Sequence, residues 1–507
     1  MRTHFQSMSL VYSILILSLF AGQIWADERP PNVPPEGFTA LFNGTDLTGW
    51  KGLVSKPHER AAMSSEKLAE AQKAADLRMH AHWQVEDGAL VFDGKGDSLC
   101  TAKDYADLEM YVDWKIEEKG DSGIYIRGLP QIQIWDPNLH DVGSGGLYNN
   151  KTHPNKPLVN ADNSIGQWNT FYIKMVGNQV TVVLNGQLVV DNVVLENLWE
   201  PDKPIGASGQ IELQNHGNTL WFRNIYVREL VTAEEGARIE EALPKAQVVS
   251  SQPRKVLVST RATGYRHSSI PHGARALQRM GESTGVFEAV ISDDLTQFAP
   301  GNLEKFDAVI LCNTTGNWIQ PTKADIEKLS AGQSLDAEAA EQMLRKSLLD
   351  YVASGKGMMG IHSASDANYH WPEFGELIGG YFNHHPWHEQ VGIRVEHPGH
   401  PLSQAFGGRD FSIVDEIYQF RDPYSRENVR VLLSLDPEKT DMKKRNIERK
   451  DGDFAVAWIR QHGEGRVFYC SLGHREDIYW NPQVLQFYLD GLQYVLGDLD
   501  GDATASN

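Results

Sequence analysis

From Gly37 to Leu230 apolar residues recur at every second position, broken by Gly, Asn and Asp. The run His82–Gly94 (HWQVEDGALVFDG) predicts a hairpin turning at Asp87-Gly88. Asp107–Ile116, Ser122–Gly128 and Ile132–Asp136 alternate like strands. In Phe171–Leu195 the pairs Gly177-Asn178 and Asn185-Gly186 separate three β-branched runs, and Gly209–Asn215 and Leu220–Leu230 close the half. Many short strands at regular spacing predict an all-β sandwich or barrel. Ala61–Ala81, rich in Ala, Glu and Lys, interrupts them and reads as an amphipathic helix.

The pattern then changes. Residues 231–253 are polar and Ala-rich and read as a linker, with a helix at their start. From Arg254 to Asp498, continuous apolar runs (Lys255–Thr260, Asp307–Thr314, Gly357–Ser363, Gly465–Gly473) alternate with helical stretches such as His272–Glu282 and Ala337–Ala353. Such strands are buried on both faces, so this half predicts a doubly wound, mainly parallel α/β sheet. Asp325–Leu349 reads as a second helical insertion. The expected organisation is a multidomain chain: a β-sandwich over 35–230, a linker over 231–253 and an α/β domain over 254–498.

The remaining bulk properties narrow the setting. The chain has 507 residues and a net charge of −20, which argues against a nucleic-acid partner and is neutral about a sugar. Arg2 and His4, an apolar run from Met8 to Phe20 and small residues up to Ala26 read as a signal peptide over 1–26, with cleavage after Ala26 or Ala21. The expected protein is exported, periplasmic or extracellular, and not membrane-bound after cleavage. Cys100, Cys312 and Cys470 form no CxxC pair and suggest no disulfide framework.

Candidate chemistry in the second half gathers behind the apolar runs. His267, His362 and Asp366, and His474 each follow one, with Glu416 and Tyr418 in a stretch between. Ligands of open α/β sheets sit beyond the strand C-terminal ends, so His267, His362 and His474 should share a rim. Imidazoles there could bind a metal or move protons. His384, His385 and His388 add an HHxxH run read as a loop, with His384 and His388 as candidate metal ligands; on a loop these residues could equally cap or stack.

The segments KVLVSTRATGYRHSSI, GKGMMGIHSASD, GGYFNHHPWHEQ, DEIYQF and FAVAWIRQHGEGRVFYCSLGH together resemble the ThuA-like family, named for trehalose utilisation. The resemblance covers about 254–498 and implies a fold like that of class I glutamine amidotransferases. Those enzymes need a Cys at the strand–helix elbow, where this chain reads Gly360-Ile361-His362. Thioester chemistry is therefore not expected, and Cys470 falls inside a strand as a core residue. The resemblance implies a pocket more than a reaction; the candidates in it are His362, His474 and Glu416 for catalysis and His267 and Asp366 for substrate binding.

In the first half, GFTALFNGTDLTGW, SGIYIRGLPQIQIWD, GSGGLYNN and GQIELQNHGNTLWFRNIYVREL resemble, in that order, the 3-keto-disaccharide hydrolase domain, over about 35–230. The implied fold is a concanavalin-like jelly roll. A ketone at C3 of a sugar acidifies the C2 proton, so a base can form an enolate and expel the C1 substituent. Such a site needs a base and a cation, oriented donors or a divalent metal for the enolate oxygen. The candidates are Asp136 or His216 as base, Arg127 as charge stabiliser, Trp135 or Tyr148 as stacking platform, and Gln131, Gln133 and Gln214 as sugar-binding amides. Many members of the family carry Glu where this chain has Gln131, which cannot ionise. Three functions follow: an enzyme cleaving 3-keto-glycosides with a ThuA-like half acting on a related keto-sugar, a carbohydrate-binding module serving the ThuA-like half, or a structural surface protein. The histidines favour the first two.

Overall fold

The computed structural model describes residues 30–248, 254–330 and 334–506. The expected signal segment, 1–26, lies outside them.

The first half is a sandwich of two antiparallel sheets. One runs in the order Gln187–Val194, Gln179–Leu184, Asn169–Val176, Asp107–Ile116, Leu220–Val231, Ala89–Phe92 and Trp83–Glu86, with Thr39–Ala40 also paired to Leu220–Val231. The other runs Trp50–Gly52, Leu99–Thr101, Glu212–Leu213, Asp121–Ile126 and Leu129–Trp135. The expected hairpin pairs Glu86 with Ala89 across Asp87 and Gly88, whose φ of 49° and 73° give a two-residue turn with both central residues left-handed. Asn185 and Gly186 turn the same way, at 49° and 82°. Ile132, Ile134, Ile211 and Leu213 point into the core with Trp114 and Phe171. Strand alternation therefore turns Gln131, Gln133, Glu212 and Gln214 to the outer face of the smaller sheet.

The insertion forms two helices, Pro57–Ala61 and Ser65–His82, where one over Ala61–Ala81 was expected. The break falls at Ser64, whose hydroxyl accepts from the Lys67 N–H and starts the second helix. This helix buries only Ala75 and Met79, so it is a weakly amphipathic cover and not a core element. It packs where the Gln72 amide donates to the Gly52 carbonyl at 2.9 Å.

The second half holds one nine-stranded sheet. Five parallel strands come first in space: Glu288–Ser292, Lys255–Ser259, Ala308–Cys312, Gly357–Ile361 and Gly465–Cys470. Antiparallel strands continue it in the order Ala455–His462, Arg430–Leu435, Tyr381–Val395 and Phe411–Arg421. Val256, Val258, Ile310 and Met359 pack into one core, while Leu257, Val309, Leu311 and Met358 pack into another on the opposite face. Burial on both faces is why these strands read as continuous apolar runs. The Asp325–Leu349 insertion resolves into parts of two helices, Lys323–Ser330 and Ala337–Ala353. The three cysteines are buried free thiols.

The segment read as a linker begins with the helix Ala233–Glu241, capped by Thr232 and Glu235, and its Ile239 is buried in the α/β core. The halves also touch directly. Asp107 of the sandwich is buried and accepts from Arg127 of its own half and from Arg275 of the helix Ile270–Thr284. Asn192 donates to the Ile291 carbonyl at 2.7 Å, and the Asn178 N–H donates to Gln278 at 3.1 Å. Gly177 has φ +60°, which favours glycine, and a Cβ there would displace the Gln278 amide end.

Candidate active site

In the α/β half the ends of three parallel strands converge. His362 follows Gly357–Ile361 with φ +47°, a left-handed conformation that a side chain rarely adopts. Gly473, at φ +132°, leaves room for it: a Cβ there would come within 3.2 Å of the His362 Cβ. His267 and His474 lie beyond the first and last parallel strands. Their rings stand 4.9 and 5.3 Å from that of His362, and 5.1 Å from each other. The sharing of a rim is what the switch-point geometry anticipates.

The tautomer of His362 is set by its surroundings. Nδ1 donates to the Ser471 carbonyl at 2.6 Å, and Nε2 lies 2.9 Å from the Tyr418 hydroxyl. Glu416, from the antiparallel strand Phe411–Arg421, places Oε2 3.6 Å from His362 Nε2 and 3.2 Å from His474 Nδ1, and Oε1 3.2 Å from His385 Nδ1. Burial would raise the Glu416 carboxyl, but the close approach of the His362 and His474 rings outweighs it and holds the group well below the usual range. The same contact raises His474 despite its burial. Burial, then the charges of His362 and His474, push His267 down to about 3, so it is a neutral imidazole. Asp415 is buried and accepts from the N–H groups of Gly473 and Arg475 at 2.7 and 3.1 Å, which fixes the loop carrying His474.

One ligand atom each from His267, His362, Glu416 and His474 lies within 4.8 Å of the others, so this group could hold a metal ion. The donor set suits zinc or another first-row divalent ion. The orphan state of one atom supports the fit: His474 Nδ1 is buried and close to Glu416 yet makes no aligned hydrogen bond. His384 and His388 stand outside this group. The HHxxH run is part of the strand Tyr381–Val395, not a loop, so its side chains alternate. His384 pairs with Glu448 at 3.1 Å, and His388 only packs its ring on His474 at 4.7 Å. His385 was left without a role by the sequence but touches Glu416. Asp366 accepts from the Tyr369 hydroxyl at 2.6 Å, and burial raises its carboxyl.

The sandwich sites divide differently. Arg127 is buried with its guanidinium on Asp107 and on the Ala106 carbonyl, which faces the other half of the chain and not the outer sheet face. Asp136 accepts from the N–H groups of Lys119 and Asn138 at 2.7 and 2.8 Å and closes a turn. Both are thus engaged in holding the backbone. The remaining candidates are brought together on the smaller sheet. Gln131 donates to Gln133, which donates to Asp121 at 2.8 Å, and His216 lies 3.6 Å from Asp121. Gln214 donates to the Tyr125 hydroxyl at 3.1 Å. Trp135 stacks on His140 at 4.1 Å and meets the edge of the exposed Tyr148 at 5.4 Å.

Sequence reasoning missed Glu212. It sits in this sheet between Cys100 and Tyr125 and is nearly sealed, with Oε1 lacking a hydrogen bond and Arg60 3.9 Å away. Burial pushes its carboxyl up to about 7, against the pull of Arg60. The only sequence signal is one Glu at an outward position of an alternating strand.

The architecture is that of a two-domain chain, a β-sandwich with a polar outer sheet face followed by an α/β domain with an imidazole–carboxylate cluster at its strand ends. Residues 37–228 match the 3-keto-alpha-glucoside-1,2-lyase-like domain and residues 255–495 match ThuA, trehalose utilisation. The chain joins a 3-keto-disaccharide hydrolase-like domain to a ThuA-like domain. Among solved structures it is similar to a candidate glycosyl hydrolase from Parabacteroides distasonis, with 25% identity over 39% of this chain and 99% of that one, at a TM-score of 0.29. It is also similar to a candidate ThuA-like protein from Bacteroides uniformis, with 22% identity over 49% of this chain and 93% of that one, at a TM-score of 0.37. No curated protein matches the chain. Among the described residues no helix is long and apolar enough to cross a membrane.

Proposed function

We propose that the chain is an exported carbohydrate-active enzyme that acts on 3-keto-glycosides or 3-keto-disaccharides, with proton chemistry at the cluster of His267, His362, Glu416 and His474. The observation that carries this reading is that cluster, three imidazoles and a carboxylate within reach of one another in a chain whose two domains both match sugar-related families. Export rests on the sequence of residues 1–26.

The residues suit removal of an acidic proton beside a carbonyl. His474, raised by Glu416, can take up and return a proton, while burial keeps His267 neutral, so that its ring offers a lone pair and no charge. Glu416 balances the imidazolium that forms, and the Ser471 carbonyl and Tyr418 hydroxyl fix the His362 ring. Alternatively, His267, His362, Glu416 and His474 would together hold a divalent ion, which would supply a Lewis acid for an enolate oxygen in place of their own proton transfer. The outer sheet face of the sandwich offers amides for sugar hydroxyls and Trp135 and Tyr148 for stacking.

A second reading makes the sandwich a carbohydrate-binding module for the ThuA-like half. It is favoured by the engagement of Arg127 and Asp136 in backbone support. A chromogenic 3-keto-glucoside, assayed with and without EDTA against His362→Ala, tests both. Loss of release in His362→Ala places the chemistry in the cluster, and EDTA sensitivity adds the ion. Release that survives in His362→Ala places it in the sandwich. No release from any form across a panel of aglycones and divalent metals defeats the enzyme reading.

A further inference from the structure

We propose that a groove beside the imidazole cluster of the α/β half is a second binding subsite, built for a neutral polyhydroxylated ring, so that this half takes a substrate two sugar units long. The inference rests on the sugar reading above and deepens it by placing the part of the substrate that lies away from the reacting carbon.

Three observations carry it. First, there is a cavity. About 360 Å³ of open space is lined by Gln390, Ser412, Val414, Asp477, Ile478 and Asn481. It lies along Phe411–Arg421, the end strand of the nine-stranded sheet.

Second, the groove is continuous with the cluster. Where Tyr381–Val395 pairs with Phe411–Arg421, His388 lies opposite Glu416 and Gln390 opposite Val414, with no register shift between the two pairs. Strand alternation puts these four side chains on one face, so the groove begins about 7 Å along the strands from Glu416. The His388 ring packs on His474 at 4.7 Å. The opposite wall follows His474 in the chain, with Asp477 three residues on and Asn481 at the start of the helix Pro482–Val495.

Third, the polar groups of the groove are fixed in place and balanced in charge. Asn481 Oδ1 accepts from the N–H groups of Gln483 and Val484 at 3.0 and 3.2 Å, which caps the helix and holds the side-chain NH2 as a donor. Asp477 is neutralised by Arg475 through two bonds of 2.9 and 3.0 Å, and its oxygens keep lone pairs for hydroxyl donors. Gln390 and Ser412 are exposed, and their side chains make no hydrogen bond among the described residues. Val414, 40% exposed, and Ile478 add apolar surface for the C–H face of a ring. No Lys or Arg is among the described residues that line the groove, and the Arg475 guanidinium is taken up by Asp477. A phosphate or carboxylate therefore finds no counter-charge there, whereas ring hydroxyls find both donors and acceptors. Bonds made to the second ring would hold the first one against Glu416 and His474.

The test uses the full chain with Val414→Cys, folding confirmed by circular dichroism. Cys100, Cys312 and Cys470 are buried, so the introduced thiol is the accessible one, and its alkylation reports on the groove alone and not on the sandwich. The probes are glucose, cellobiose and maltose, each with and without oxidation at C3, and inorganic phosphate. A 3-keto-disaccharide at ten times its Kd is expected to slow alkylation about tenfold, while 3-keto-glucose and phosphate leave it unchanged. In parallel, Gln390→Ala should weaken disaccharide binding about tenfold by calorimetry and leave 3-keto-glucose unaffected. Alkylation unaffected by every disaccharide, or slowed equally by the single ring or by phosphate, overturns the subsite, as does disaccharide binding unchanged in Gln390→Ala. Equal protection by the unoxidised disaccharides would sustain the subsite while the keto-sugar reading fails.

Discussion

Asp107→Asn is expected to destabilise the whole chain without touching either candidate site. The Asp107 side chain is fully buried and its Oδ1 accepts from Arg127, from Arg275 at 3.1 Å and from the Gly177 N–H at 3.1 Å. Arg127 and Arg275 are themselves 4% and 1% exposed. Burial pushes the Arg127 guanidinium down to about 10, with Asp107 pulling it back. An amide of the same shape keeps the volume and one acceptor but leaves two buried cations facing each other. Breaking a buried pair in this way costs about 3–5 kcal/mol. One pair at this separation, with an effective dielectric constant of about 20, is worth a similar amount by Coulomb's law. For domains of this size that corresponds to a fall in Tm of roughly 6–20 °C, read by calorimetry or thermal circular dichroism. A Tm unchanged within error would refute the assignment of Arg127 to structure and return it to the list of catalytic candidates.

Zinc or manganese should raise the Tm of the wild-type chain, by about 2.7 kcal/mol of stability at a hundredfold excess over Kd, and leave His362→Ala unmoved. His384→Ala should keep the metal-induced shift, because that ring pairs with Glu448 outside the cluster. Stability should also carry the signature of Glu212: burial pushes its carboxyl from the ordinary 4.5 up to about 7 in the folded chain, so its favourable contribution is complete below about pH 4.5 and is lost as pH rises to about 7. The difference in unfolding free energy between wild type and Glu212→Gln should therefore shift by up to about 3 kcal/mol across that window, and equal shifts at all pH values would contradict it. Gly177→Ala should lose roughly 1–3 kcal/mol, from the left-handed backbone and the displaced Gln278 contact, measured by urea unfolding.

The fold was legible because burial writes itself into residue order. Period two marked Ile132 and Ile134 as core and Gln131 and Gln133 as outward, and unbroken apolar runs marked strands covered on both faces. The convergence of His267, His362 and His474 followed from where parallel strands end. What stayed hidden depends on partners distant in sequence. Nothing near Arg127 announces Asp107 and Arg275, and nothing near Asp136 announces that the Lys119 N–H needs an acceptor. The HHxxH run was misplaced because its polar residues mask a strand whose alternation is visible only beside Phe411–Arg421. Glu212 escaped because its character comes from the helices above it, not from its neighbours in the chain.

The contacts between the halves bear on how the protein can be dissected. The ties at Asp107–Arg275, Asn192–Ile291 and Asn178–Gln278 do not run through the peptide that connects the domains. A protease site engineered between Val248 and Arg254 should therefore yield a nicked molecule whose two fragments co-purify, whereas either half expressed alone would carry an interior seam turned outward, Asp107 and Arg127 on one side and Arg275 on the other. Fragment complementation, with the halves produced separately and then mixed, is consequently a better route to single-domain activity than truncation.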